Sequence, residues 1–68
     1  MAINELTAAD RECLLAYAKC GMQVSETARQ LIYHRNTVQY HLDRVKKKTG
    51  LNPHNFYDLV KLVQALEG

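Results

Sequence analysis

The chain has 68 residues, 47% of them apolar and 24% charged, with a formal net charge of +2. That length permits one domain around one core, burying only roughly 60% of the unfolded surface, and the composition excludes a disordered segment. No apolar run nears the roughly 18 residues of a membrane span and no signal-peptide pattern opens the chain, which predicts a soluble, cytoplasmic piece of something larger.

A first helix is expected from Thr7, because Thr7-Ala8-Ala9-Asp10 fits a capping box with aspartate as its acidic member. Gly21 is suited to stop it after Cys20. Leu6 is expected as a staple ahead of the cap, with Cys13, Leu14, Tyr17 and Ala18 facing the core. Cys13 and Cys20 sit roughly 10.5 Å apart along one helix axis, beyond disulfide reach, so both read as small buried thiols in a reducing compartment. A second helix is predicted over 26–32 with Ser25 as its cap. Ala28 and Leu31 face inward, the small Ala28 permits close approach by the next helix, and Tyr33 fills the space between the two.

A third helix should run from Arg35 to Thr49, capped by either His34 or Asn36. Gly50 followed by Leu51 fits a Schellman stop with Leu51 folded back on Val45. Asn52-Pro53 offers a cap and a first-position proline for a fourth helix, where Phe56, Leu59, Val60, Val63 and Leu66 recur at three- and four-residue spacing. The expected architecture is all-α: a compact four-helix bundle, one domain over 1–68, with a helix-turn-helix at 25–49.

On the third helix Val38, Leu42 and Val45 form a narrow apolar stripe at about 100° per residue. Opposite lie Asn36, Tyr40, Asp43 and Lys47, flanked by Thr37, Gln39 and Arg44. Residues 34–49 hold five cations, Arg35, Arg44, Lys46, Lys47 and Lys48, against Asp43 alone; this +4 leaves −2 for the remainder. One basic element on a mildly acidic body aims a face at a polyanion. His34, Arg35, Asn36 and Thr37 open that helix, and helix-turn-helix proteins read base edges from the first turns of the second helix. Arg35 suits guanine in bidentate fashion and Asn36 or Gln39 suits adenine, each pair worth roughly 1–3 kcal/mol of discrimination. Tyr40 can offer its ring to sugar or thymine methyl groups. Ser25, Thr27 and Thr37 suit phosphate contacts, and the basic Arg44 and Lys47 complete that set. Lys46, Lys47 and Lys48 also complement the helix dipole as solvated charges, and Asn36 and Gln39 would be at home on any surface.

No metal or cofactor is expected. His34 and His41 are roughly 10.5 Å apart by helical rise, His54 is remote in sequence, and the cysteines lack finger spacing. His41 borders the apolar stripe and reads as a partly buried packing residue. No nucleophile–base pair, paired carboxylates or glycine-rich phosphate loop suggests an enzyme; Asp10 and Glu12 belong to a capped helix start.

Val24-Ser25-Glu26-Thr27-Ala28-Arg29, His34-Arg35-Asn36-Thr37-Val38, Tyr40, Leu42-Asp43-Arg44-Val45 and Thr49-Gly50-Leu51 resemble the C-terminal helix-turn-helix of PucR-type transcription regulators, over roughly residues 11–62. The pair of helices is also similar to the Fis-like group, through Ala28-Arg29, Leu31 and Arg35-Asn36-Thr37. The resemblance implies a bacterial regulator whose missing part senses a metabolite and supports oligomerisation. It implies that His34, Arg35, Asn36, Gln39 and Tyr40 enter the groove. Ile32 stands where Fis-like turns often have glycine, so a left-handed residue there would be strained. His41 replaces a common arginine, removing a phosphate contact, and Met22-Gln23 replaces a Gly-Asn lead-in.

The function expected is sequence-specific binding of duplex DNA by a homo-oligomeric regulator. Roughly four to six phosphate contacts predict a log–log salt slope between about −3.5 and −5.5. A lone copy should bind weakly, with two copies about 34 Å apart on a palindrome restoring affinity. The alternative is a helical protein-interaction or dimerisation module built on the fourth helix.

Overall fold

Thr7 opens the first helix with both halves of the expected capping box: the Asp10 amide donates to Thr7 Oγ1 and the Thr7 amide to Asp10 Oδ2, each at 3.1 Å. The computed structural model describes residues 3–67, so residues 1, 2 and 68 of the expected domain lie outside it. A 3-10 turn, Ile3–Glu5, precedes α1 (Ala8–Lys19), α2 (Val24–Leu31), α3 (Arg35–Thr49) and α4 (Phe56–Glu67). The fold is all-α, with a helix-turn-helix formed by α2 and α3.

The central element is α1, which packs against α2, α3 and α4, while the 3-10 turn touches α3 and α4. One core contains Leu6, Leu14, Tyr17, Ala28, Val38, Leu42, Val45, Leu59 and Leu62. Cys13 is buried as expected, and burial followed by the charges of Glu12 and Asp10 pushes its thiol up to about 11. Cys20 is only half-buried, because it ends α1 and its Sγ lies 3.7 Å from Gln30 Oε1. Gly21, at φ +67°, turns the chain out of α1 while the Met22 amide closes onto Tyr17 O.

The expected Ser25 cap is corrected. Val24, packed against the core, already begins α2, so Ser25 lies exposed inside its first turn. Gln23 flanks the helix without a side-chain cap, and the Thr27 hydroxyl donates to Gln23 O at 2.7 Å. At the far end Ile32 is left-handed, at φ +57° and ψ 45°, and the Tyr33 amide donates to Ala28 O at 2.8 Å. Ile32 is 91% exposed, so it carries the backbone strain of a β-branched residue without burying its side chain. Tyr33 packs against the core and its hydroxyl donates to Glu12 Oε1, tying the turn to α1.

His34, in extended geometry, caps α3, its Nδ1 accepting from the Asn36 amide at 3.1 Å. Gly50, at φ +76°, ends the helix through one bond from its amide to Lys46 O. The Schellman expectation is therefore corrected: the Leu51 amide donates to Thr49 Oγ1 instead, while Leu51 packs partly against the core. Asn52 and Pro53 do not begin α4. Asn52 Oδ1 accepts from the His54 amide in a turn, and Asn55 Oδ1 caps the helix by accepting from Tyr57 and Asp58. Along α4 the buried side is Leu59 and Leu62, with Val63 and Leu66 partly covered. Phe56 and Val60 lie outside, because among the described helical elements α4 packs against α1 and the 3-10 turn, and that surface covers only part of its apolar stripe.

Candidate nucleic-acid interface

The position of α3 is set first by Val38, Leu42 and Val45, all fully buried, and then by a polar anchor. Asp10, 0% exposed, meets His41 Nδ1 at 2.6 Å and receives Arg44 Nε at 3.3 Å on both carboxylate oxygens. The residue that closes the α1 capping box thereby fastens the middle of α3. Burial alone would raise the Asp10 carboxyl; the bonds from His41, the Thr7 amide and Arg44 outweigh it and hold the carboxyl below its ordinary value. His41 is the partly buried packing residue expected, but the cluster itself escaped the sequence reading. Its one local hint was aspartate where a capping box usually has glutamate, a shorter arm that keeps the carboxylate close to the helix start.

Of the residues expected at base edges, His34, Arg35 and Asn36 are exposed at the first turn of α3, and Tyr40 is exposed one turn on. Because His34 Nδ1 accepts the capping bond, its Nε2 carries the proton. Gln39 differs: it is half-buried, with Nε2 3.2 Å from Asp43 Oδ1 and 3.1 Å from His54 Nε2. His54 Nδ1 is in turn 2.9 Å from the hydroxyl of buried Tyr17, whose ring meets it edge-on. Asp43 and His54 thus hold the Gln39 side chain, although neither was among the expected contacts. No local pattern linked His54 to a residue fifteen positions earlier.

Among the residues expected at phosphates, Ser25, Thr37 and Lys47 are exposed. Arg44 is partly exposed, its guanidinium 5.9 Å from the Tyr40 ring centroid while Nε holds Asp10. Thr27 is corrected: its side chain is fully buried and its hydroxyl is committed to Gln23 O, so it has no group to offer a phosphate. Tyr40, Asp43, Arg44, Lys46 and Lys47 line a shallow hollow of about 570 Å³ on α3. Lys48 points to a loose pair with Glu5 at 3.9 Å.

The sequence model of the PucR C-terminal helix-turn-helix domain matches residues 11–67. The chain is 39% identical over 57 residues to the carbohydrate diacid regulator of Escherichia coli, covering 84% of this chain and 15% of that protein. Over 42 residues it is 45% identical to uncharacterized proteins of Mycobacterium bovis and Mycobacterium tuberculosis, covering 62% of this chain and 10% of theirs. It therefore spans a small fraction of the length of these relatives. No solved structure gives a significant match. The chain belongs to the PucR C-terminal helix-turn-helix domain family, a family of DNA-binding transcription regulator domains.

Proposed function

We propose that the chain binds duplex DNA in a sequence-specific manner, with the first turns of α3 in the major groove. The observation that carries this reading is the exposed run His34, Arg35, Asn36 and Thr37 at the start of a helix whose other side is anchored by Val38, Leu42, Val45 and the Asp10 cluster. A rigidly seated helix presenting donors at its N-terminus meets the requirements of direct readout. Arg35, Asn36, Gln39, Tyr40 and His34 then face bases, and Ser25, Thr37, Arg44 and Lys47 face phosphates. The reading makes this chain the DNA-binding part of a longer bacterial regulator that is cytoplasmic and homo-oligomeric, with a small-molecule effector bound outside these residues.

The test is a titration of fluorescent duplex at several salt concentrations. With Thr27 removed from the phosphate set, roughly four contacts predict a log–log slope near −3.5; affinity independent of salt sinks the proposal. A second reading, a protein-docking module, is favoured by one observation: Phe56 and Tyr57 are 60% and 75% exposed on α4. Amide shift changes confined to α4 on adding duplex or candidate proteins would favour it over the first.

A further inference from the structure

We infer that Gln39 reads its base pair purely as a hydrogen-bond acceptor, fixed in that state by Asp43 and His54, so that it selects an amino group over a keto group. This rests on the major-groove reading of α3. A free glutamine recognises adenine with both ends of its amide, the nitrogen donating to N7 and the oxygen accepting from N6. Here the nitrogen end is already committed.

The orientation of the amide follows from its neighbours. An ionised carboxylate only accepts, so nitrogen rather than oxygen faces Asp43 Oδ1 at 3.2 Å. The same nitrogen is 3.1 Å from His54 Nε2. Its two hydrogens are used, one on each partner, and His54 Nε2 carries a lone pair. The imidazole proton then sits on Nδ1 and donates to Tyr17 Oη at 2.9 Å. Tyr17 is buried in α1, so a chain of bonds runs from the core through His54 to the exposed face of α3. What remains open on Gln39 is Oε1. In the major groove that atom accepts from adenine N6 or cytosine N4 and is repelled by thymine O4 and guanine O6. Asp43, the one acid among residues 34–49, thereby has a use on a helix otherwise built for a polyanion. His54 and Asp43 act as positioning residues for the base contact.

The experiment is selection from a random duplex pool with the 68-residue chain immobilised at high density, in wild-type form and as Q39A, H54A and D43A. In the wild-type motif, the position whose preference disappears in Q39A should hold adenine and cytosine in comparable amounts, with guanine and thymine depleted about tenfold. In H54A and D43A the freed amide should shift that position to adenine over cytosine by several-fold. D43A alters an exposed residue and covers the case in which H54A perturbs folding. Adenine alone at that position in wild type overturns the inference, as does a motif untouched by Q39A or an adenine–cytosine position unchanged in both H54A and D43A. A wild-type chain that enriches no motif overturns the DNA reading itself, and this inference with it.

Discussion

Helices α3 and α4 each bury an apolar stripe, yet what they leave outside differs in kind. On α3 the outer groups are polar, and three at its start and middle are already held: His34 by its cap, Gln39 by Asp43 and His54, Arg44 by Asp10 and the Tyr40 ring. On α4 the outer groups are Phe56, Tyr57 and Val60, beside an apolar hollow of about 420 Å³ lined in part by Ala18, Met22 and Val63. Ordered polar groups forfeit little rotamer freedom on binding and impose direction; exposed apolar surface gives area without direction. Under the proposed reading discrimination falls to α3, while α4 supports the core through Leu59 and Leu62.

Single substitutions break or sharpen that contrast. The largest effect is expected where α4 meets the core: Leu62, fully buried, cut back by L62A should cost about 3 kcal/mol in urea unfolding. F56S on the same helix should change stability by less than about 0.5 kcal/mol, and a large loss there would show that the outer face of α4 supports the fold. D10A removes the anchor of α3 and part of the α1 cap and should cost about 2–3 kcal/mol. The pH dependence has a definite sign. The Asp10 carboxyl titrates lower folded than unfolded, so its stabilisation is complete above the unfolded value of about 3.9 and is lost as pH falls through the folded one. Acid melts of D10A should lack that component of slope.

Smaller effects come from the helix-turn-helix itself. H34A should cost about 1 kcal/mol of stability by removing the α3 cap, whereas H34N should keep most of it. If both weaken DNA binding alike, the imidazole contacts DNA; if only H34A does, the residue acts as a cap. I32G should raise the free energy of unfolding by up to about 1 kcal/mol in urea titration, because the relief of left-handed strain at φ +57° exceeds the unfolded-chain entropy that glycine restores. A loss of stability in I32G would mean that the exposed isoleucine side chain makes contacts that outweigh its strain.

The legible features were those decided within a turn or two of chain. Thr7 and Asp10 cap each other three residues apart, Gly50 stops a helix locally, and Val38, Leu42 and Val45 share a face by helical periodicity alone. The errors lay where tertiary contact outweighed a local preference. Ser25 is a good cap residue, but packing of Val24 begins α2 earlier. Asn52-Pro53 looks like a helix start, but its turn brings His54 to Tyr17 and leaves Asn55 to cap α4. Thr27 is polar by type and buried by position.

Residue types and spacing by themselves determined the four helices and the basic character of α3, since each depends on interactions between near neighbours or on summed charge; the family rested on the resemblance of the motifs at 24–29 and 34–38. Tertiary structure decided which polar groups remain available. Asp10, His41 and Arg44 are drawn into one cluster across 31 and 34 positions, and Gln39 is tied to a histidine fifteen residues away. Hydrogen bonds between distant segments depend on how the helices pack, and no local pattern encodes that distance.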